Sequence, residues 1–336
     1  MKQRYNKFFK KNSYGLKVQV KGFWILFLLF LIPSISGADV IIGGESFYNI
    51  KKGDTLERVG AKFGVEWKYI ASENSIYINK PLKIGMELRI NNRKIVPRMI
   101  SDGIIINIPD RMLYFFKNNR LEKAFPVGLG MPSWRGITRW RTPEGKFQVV
   151  DKRKNPTWHV PESMQWKMTM EGKPVKTIVP PGPDNPLGRY AIDTSIPRII
   201  IHETIWPNTV YQFRSHGCIR VLPEHMEEFF KEVEINTPGE IIYSPVKVAV
   251  LDGRVFLEVY RDIYGEFKDM KSEVVNLIEK HGVSNKVDWE KVNKVVSEKS
   301  GLVEDVTYDI KKEDTTYDIK KESFKGCPYD YCFLSF

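Results

Sequence analysis

Short runs of β-branched and aromatic residues, separated by turn residues, dominate residues 100–262 and constrain the fold more than any other feature. Residues 103–108 and 112–116 are two such runs, divided by Pro109-Asp110-Arg111, and this composition is typical of β-strands. Further strands are predicted at 121–127, 145–151, 198–202, 240–243 and 246–260, the last with a turn at Asp252-Gly253. The chain is therefore expected to be mainly β.

Helices are predicted at 224–233, 270–281 and 288–299, where apolar residues have helical spacing. Together with the strands they indicate an α+β, mainly β fold. The Pro- and Gly-rich stretch 155–188 is expected to lack regular structure. Long loops of this kind in compact domains are usually functional.

Residues 48–91 have a different pattern, a β-α-α-β unit in which Thr55 is expected to cap the first helix. Tyr48, Gly53-Asp54-Thr55-Leu56, Asn74 and the closing segment 84–90 resemble a LysM domain. The resemblance implies a small module, with predicted bounds 46–92, that binds the glycan strands of peptidoglycan.

The amino terminus resembles an export signal. Residues 1–22 carry seven of the eleven net positive charges, and an apolar run at 23–32 precedes the small residues Ser36-Gly37-Ala38. The run is shorter than the roughly 20 residues that span a bilayer, so 1–38 is predicted to be a signal peptide or an uncleaved membrane anchor. Either alternative places the folded part in the periplasm or cell envelope. Because most of the excess charge lies in this segment, no nucleic-acid partner is expected.

Three cysteines are present, Cys218, Cys327 and Cys332. In an oxidising compartment an odd number leaves at least one thiol unpaired. Cys327 and Cys332 either form a disulfide with each other or remain free, and Cys218 has no evident partner. Histidines and cysteines do not occur at metal-ligand spacing, so neither a metal nor another cofactor is predicted.

Cys218 follows a glycine and lies a short distance along the chain from a histidine at a predicted strand end, His202. Gly217 allows a sharp turn that exposes the sulfur, and a neighbouring imidazolium lowers the pKa of a thiol. Backbone amides at Gly217 and Cys218 are candidate donors to an oxyanion. These residue types suit a cysteine–histidine acyl transferase.

Several motifs resemble the YkuD-type L,D-transpeptidases, in particular the ErfK/YbiS branch. The signature is a histidine followed by Ser/Thr-His-Gly-Cys and then Asn or Arg, which here corresponds to His202, Ser215, His216, Gly217, Cys218 and Arg220. Segments 142–147, 155–158 and 180–188 also resemble this branch. The resemblance implies a β-rich catalytic domain, with predicted bounds 100–245, preceded by the βααβ LysM domain.

The resemblance also implies a reaction on peptidoglycan stem peptides. Cys218 attacks the L,D-peptide bond of a tetrapeptide stem and releases D-alanine, and the resulting thioester passes to an amine of another stem. His202 acts as the base, oriented by the backbone carbonyl of Glu203, and His216 and Gly217 shape the oxyanion region together with Ser215. Such cross-linking contributes to cell wall organisation and cell shape.

The sequence allows alternative interpretations of the role of Arg220 and of the fate of the thioester. Arg220 either binds a carboxylate of the stem peptide or forms a local ion pair with Glu203 or Glu224. The thioester is either transferred to a stem amine, transferred to a lipoprotein amine, or hydrolysed; a non-catalytic wall-binding scaffold is the alternative of another class.

Residues 246–300 are predicted to form a strand and helix extension, and 301–336 a flexible charged tail. Within the tail, a seven-residue sequence at 307–313 recurs at 316–322. Two copies are too few for a solenoid.

Overall fold

A computed structural model of the chain describes residues 40–78 and 81–309. The predicted signal segment 1–38, Cys327, Cys332 and most of the repeated sequence lie outside the described residues. Within the part that is described, no helix is both long and apolar enough to cross a membrane.

The amino-terminal module has the predicted β-α-α-β order. Its elements are β1 (Ile41–Ile42), β2 (Glu45–Asn49), α1 (Leu56–Phe63), α2 (Trp67–Glu73), β3 (Glu87–Asn91) and β4 (Lys94–Ile95). Thr55 caps α1 as expected, because its side chain accepts a hydrogen bond of 3.2 Å from the Arg58 amide. The Asn74 side chain bonds both the Ile70 carbonyl in α2 and the backbone of Arg89 in β3, which joins the second helix to the sheet.

The central region, which follows the module, is strand-rich. Its elements are β5 (Gly103–Asn107), β6 (Met112–Lys117), β7 (Arg120–Gly130), β8 (Gly145–Lys154), β9 (Trp158–His159), α3 (Glu162–Met170), β10 (Ile178–Val179), β11 (Tyr190–Thr194), β12 (Ile200–Glu203), β13 (Phe213–Ser215), β14 (Ile219–Val221), α4 (Pro223–Glu232) and β15 (Pro238–Ile242). The mainly β fold predicted from the sequence is confirmed.

Eight of these strands form a closed sheet in the order β7-β14-β12-β11-β8-β15-β5-β6, because β6 also pairs with β7, and β13 adds to β7 outside the ring. Closure depends on the length of β7. Its first half pairs with β6, for example Pro126 with Met112, and its second half pairs with β14, for example Gly128 with Arg220. The main core includes strand residues such as Ile201 and Ile219, and Met226 and Phe229 of α4 pack into it. A closed sheet has no exposed edge.

The expectation that 155–188 lacks regular structure is wrong in part. The segment contains α3 and the short antiparallel pair β9–β10. The apolar residues of α3, including Met164, Trp166 and Met168, are spaced by two, and none of its residues is fully buried. A helix without a buried apolar stripe has no helical periodicity to detect in the sequence.

The carboxy-terminal module consists of β16 (Val246–Leu251), β17 (Arg254–Tyr260), α5 (Met270–Lys280), α6 (Trp289–Glu298) and β18 (Ser300–Asp305). Placing the start of the flexible tail at residue 301 is therefore wrong. Strand β18 pairs antiparallel with β17, with Glu258 opposite Val303. This strand has few apolar residues, and its paired residues in β17 are at least 40 positions away in sequence, so the sequence did not indicate it.

A buried ionic cluster joins the three parts of the chain. Lys247 Nζ of β16 lies 2.7 Å from Asp110 Oδ2 in the central region and 2.9 Å from Glu258 Oε2 in β17. Lys94 of β4 lies 3.7 Å from Glu258, and its ammonium bonds the Gly301 carbonyl. All four charged side chains are at most 3% exposed. Burial opposes the charge on Lys247, but the two carboxylates outweigh it and raise the pKa of this lysine.

The amino-terminal module also packs directly on the central region. Ala61 of α1 forms a buried apolar cluster with Val210 and Leu222. The Arg111 guanidinium lies 3.2 Å from Glu66 and 4.0 Å from the ring centre of Tyr211. These contacts fix the module to the domain that carries Cys218.

Candidate active site

Strands β12 and β14 place the predicted site residues on one face of the sheet. The strands run parallel, with His202 opposite Arg220. Side chains alternate between faces along a strand, so Cys218, one residue before β14, is on the same face as Arg220. Ile201, before His202, and Ile219, between Cys218 and Arg220, point into the core and are fully buried. All three polar side chains line one cavity.

A tight turn presents Cys218. Gly217 has φ +108°, a left-handed conformation that side chains disfavour. The Ser215 hydroxyl donates to the Cys218 carbonyl at 2.5 Å and accepts from the Gly217 amide at 3.2 Å. The structure therefore differs from the expectation for the Gly217 amide, which is already engaged by Ser215. Ser215 is 2% exposed, and its hydroxyl stabilises the turn from the buried side.

The thiol of Cys218 is neutral in this environment. Burial raises its pKa, whereas the backbone at Ile200 and the charge of Arg220 act in the opposite direction. The sulfur lies 3.4 Å from the Arg198 carbonyl oxygen, to which a protonated thiol can donate. The raised pKa of Cys218 and the lowered pKa of His202 both favour a neutral thiol beside a neutral imidazole.

His202 is held as a neutral imidazole in a single tautomer. Its Nδ1 lies 2.7 Å from the Glu203 backbone carbonyl oxygen, the contact that the family resemblance implied. Because a carbonyl only accepts, Nδ1 carries the proton and Nε2 is the basic nitrogen. Burial and then the charge of Arg220 lower the pKa of His202 to about 4. At neutral pH this side chain is a proton acceptor.

His216 is also neutral, but in the opposite tautomer. Its Nε2 lies 3.2 Å from the Lys167 ammonium, which can only donate, so the proton is on Nδ1. Burial, followed by the charges of Lys167 and Arg220, lowers the pKa of His216 to about 4. The ring packs edge-on against Trp140 at 4.4 Å between ring centres. This environment fixes the ring and keeps it uncharged.

Arg220 has no carboxylate partner within 4.0 Å among the described residues. Glu203, one of its two predicted local partners, pairs with Arg189 instead at 3.2 Å. The Arg220 guanidinium faces Trp206 at 5.6 Å from the ring centre, and burial lowers its pKa. A half-buried cation without a counter-ion is suited to an anionic ligand.

The cavity has a volume of about 700 Å³ and a cationic lining. Its basic residues in the described part of the chain are Arg139, Arg141, Lys173, Lys176, Arg198 and Arg220. A single carboxylate, Asp184, accompanies them. Trp158 and Trp206 both line the cavity. The cavity therefore favours an anionic ligand of peptide size.

Sequence reasoning missed two residues that contact the site. Lys167 belongs to α3, which was not predicted, so nothing in the sequence indicated its contact with His216. Thr142 is part of the segment 142–147 that carried the family resemblance, but no role was assigned to it. In the structure its hydroxyl donates to the Gly217 carbonyl at 2.9 Å.

Comparisons with known proteins agree with this architecture. Residues 101–248 match the L,D-transpeptidase catalytic domain YkuD, and residues 48–91 match the LysM domain. The probable L,D-transpeptidase YbiS of Escherichia coli K12 is 28% identical over 258 residues, which cover 75% of this chain and 82% of YbiS. The probable L,D-transpeptidase ErfK/SrfK of Salmonella typhimurium is 29% identical over 228 residues, 65% of this chain and 71% of that protein. The chain thus contains a YkuD L,D-transpeptidase catalytic domain preceded by a LysM domain, and its relatives include the L,D-transpeptidases YbiS and ErfK.

Proposed function

We propose that this enzyme cross-links peptidoglycan through a thioester on Cys218. The donor is a tetrapeptide stem, the leaving group is its terminal D-alanine, and the acceptor is a side-chain amine of another stem, which gives a 3-3 cross-link. The observation that carries the proposal is the placement of Cys218, His202 and Arg220 on one face of β12 and β14, where all three line one cationic cavity.

In the first half-reaction, Cys218 Sγ attacks the carbonyl carbon of the L,D-peptide bond while its proton passes to His202 Nε2. The tetrahedral intermediate collapses as the imidazolium protonates the departing amine of D-alanine, which leaves a thioester. Because the pKa of the thiol is raised and that of His202 lowered, proton transfer accompanies the attack rather than preceding it.

In the second half-reaction, the acceptor amine attacks the thioester carbonyl. His202 takes a proton from the amine and returns it to the sulfur as the C–S bond breaks, which restores the thiol. The Cys218 amide is the candidate donor to the oxyanion in both steps, since the Gly217 amide is engaged by Ser215. His216 has a shaping role in the same region.

The cationic lining supports a substrate with free carboxylates. Stem peptides carry several, and a planar guanidinium such as that of Arg220 can bind one with two hydrogen bonds. No carboxylate of the described residues already occupies this position within 4.0 Å, which favours the ligand-binding interpretation of Arg220 over the local ion pair.

The LysM domain is proposed to bind the glycan strands of peptidoglycan. Because it packs on the catalytic domain through Ala61 and Glu66, glycan binding holds the cavity near stem peptides and raises their effective concentration. This function places the enzyme in the cell envelope. Export to the periplasm by the segment 1–38, with or without retention as a membrane anchor, remains part of the proposal.

Incubation of the purified protein with disaccharide-tetrapeptide, followed by mass spectrometry, tests the proposal. A dimer lacking one D-alanine is expected with the wild type and no product with Cys218→Ala. Tripeptide monomer alone would indicate hydrolysis, and a product that needs an added lipoprotein amine would indicate attachment. Turnover by Cys218→Ala would overturn the thioester mechanism, and complete inactivity of the wild type would leave a wall-binding scaffold.

A further inference from the structure

A tyrosine outside the matched catalytic domain contacts the segment that supports the nucleophile. Tyr264, which lies beyond residue 248, is 6% exposed. Its hydroxyl donates to the Gly130 carbonyl at 2.7 Å and accepts from the Thr142 amide at 3.1 Å. The phenol thus bridges the end of β7 and the segment before β8.

Thr142 continues the connection to the turn before Cys218. Its hydroxyl accepts from the Gly130 amide at 2.9 Å and donates to the Gly217 carbonyl at 2.9 Å. Thr142 is 1% exposed, so solvent does not replace these bonds. Gly130 packs so closely here that a Cβ would lie 2.2 Å from the Trp140 carbonyl oxygen. Three hydrogen bonds therefore connect Tyr264, Gly130 and Thr142 in closely packed surroundings.

The Gly217 carbonyl and the Cys218 amide belong to the same peptide group. That group is planar, and in its trans form the C=O and N–H bonds point in opposite directions. Fixing the direction of the Gly217 oxygen therefore fixes the direction of the Cys218 N–H, which is a candidate oxyanion donor. Preorganised donors of this kind make large contributions to acyl transfer.

Tyr264 is itself rigidly held. Its amide donates to the Tyr243 hydroxyl at 2.9 Å, and that hydroxyl donates to Asp262 at 2.6 Å. The Asp262 carboxylate also accepts from the amides of the three residues 265–267. The carboxy-terminal segment therefore brings a preorganised hydroxyl to the support of the active site.

We propose that Tyr264 and Thr142 are positioning residues that orient the Cys218 amide toward the oxyanion. The inference rests on the proposed thioester mechanism. In this proposal the carboxy-terminal segment contributes to the reaction through two hydrogen bonds. One connects Tyr264 to Thr142, and the other connects Thr142 to the Gly217 carbonyl. Neither residue contacts the reacting atoms.

Two reactions of the same thiol separate this role from a merely structural one. Acylation by a carbapenem passes through an oxyanion, whereas alkylation by iodoacetamide does not. Thr142→Val removes the hydroxyl at nearly constant volume and is expected to slow acylation about tenfold or more, with the alkylation rate unchanged. Thr142→Ser keeps the hydroxyl and is expected to restore acylation. Tyr264→Phe is expected to slow acylation selectively, and the exposed Tyr308→Phe is its matched control.

The outcomes are distinct from those that test the thioester mechanism. If Cys218→Ala still forms the carbapenem adduct, the proposed mechanism fails. If Cys218→Ala is inert but Thr142→Val and Tyr264→Phe acylate like the wild type, the positioning role fails alone. A parallel loss of acylation and alkylation in these variants would also overturn it, because the whole thiol would then be displaced. Thermal unfolding of each variant confirms that the compared proteins are folded.

Discussion

His202 Nδ1 lies 2.7 Å from the backbone carbonyl oxygen of Glu203. A proton on Nδ1 satisfies this contact and leaves Nε2 as the basic nitrogen of the imidazole. Because the partner is a backbone atom, its position depends on the strand rather than on another side chain. The backbone of the closed sheet therefore determines the orientation of the base.

His202→Asn tests the base. The asparagine amide can retain the hydrogen bond to the Glu203 carbonyl but cannot accept a proton. We expect cross-linking to fall by about a hundredfold or more, while the free energy of unfolding changes by about 1 kcal/mol. Product formation by mass spectrometry and urea denaturation are the measurements. Turnover within a few-fold of wild type would exclude His202 as the base.

The reactivity of Cys218 toward iodoacetamide should depend on pH as that of a half-buried thiol with a raised pKa does. Because burial raises the pKa of Cys218, the alkylation rate is expected to keep rising beyond the pH at which a free thiol levels off. Rates across the alkaline range, with adduct mass as the readout, check this. A plateau that begins near neutral pH would instead indicate a thiolate–imidazolium pair.

Arg220→Met should weaken the binding of stem peptides with free carboxylates. Loss of a charge-assisted, two-bond contact is expected to raise KM about tenfold. Arg220→Lys is expected to recover only part of the affinity, since an ammonium cannot reproduce the planar fork. The same peptide with its carboxylates amidated is the control: an equal loss on both substrates would argue for a local structural role of Arg220.

Stability should fall in mild acid because of His202 and His216. Their pKa values are about 4 in the folded protein, below the ordinary value of about 6.5. The unfolded chain therefore binds more protons between these values, so the stabilisation is complete above pH 6.5 and is lost as pH falls toward 4. For buried His202 the contribution is roughly 3 kcal/mol. Urea denaturation at pH 7 and 4.5 should show a smaller difference for His202→Asn than for wild type; an equal difference would contradict the assignment.

Lys247→Met should destabilise the folded chain by roughly 3–5 kcal/mol, because it leaves Asp110 and Glu258 buried with less positive charge. Adding Glu258→Gln removes one of these carboxylates and is expected to recover part of the loss. Chemical denaturation of the single and double variants measures the coupling. If the double variant loses more free energy of unfolding than the two single variants together, charge balance is not the cause.

Local features were predictable wherever nearby residues determine them. Thr55 caps α1 through the Arg58 amide three residues away, and the strand runs at 103–108 and 112–116 became the antiparallel pair β5–β6. Elements without local periodicity were not predictable. Helix α3 has no buried apolar stripe, and β18 depends on a distant partner, β17.

The sequence by itself determined which residues meet near the cavity, because motif and spacing identified His202, Cys218 and Arg220 before their contacts were known. Only the tertiary structure decided their chemical states. Burial and neighbouring charges set the pKa of each group, and both depend on segments far away in the chain. The same holds for Tyr264, which reaches Thr142 across 122 residues. A hydrogen bond between distant segments leaves no pattern in the sequence of either segment, so it can be identified only in the folded structure.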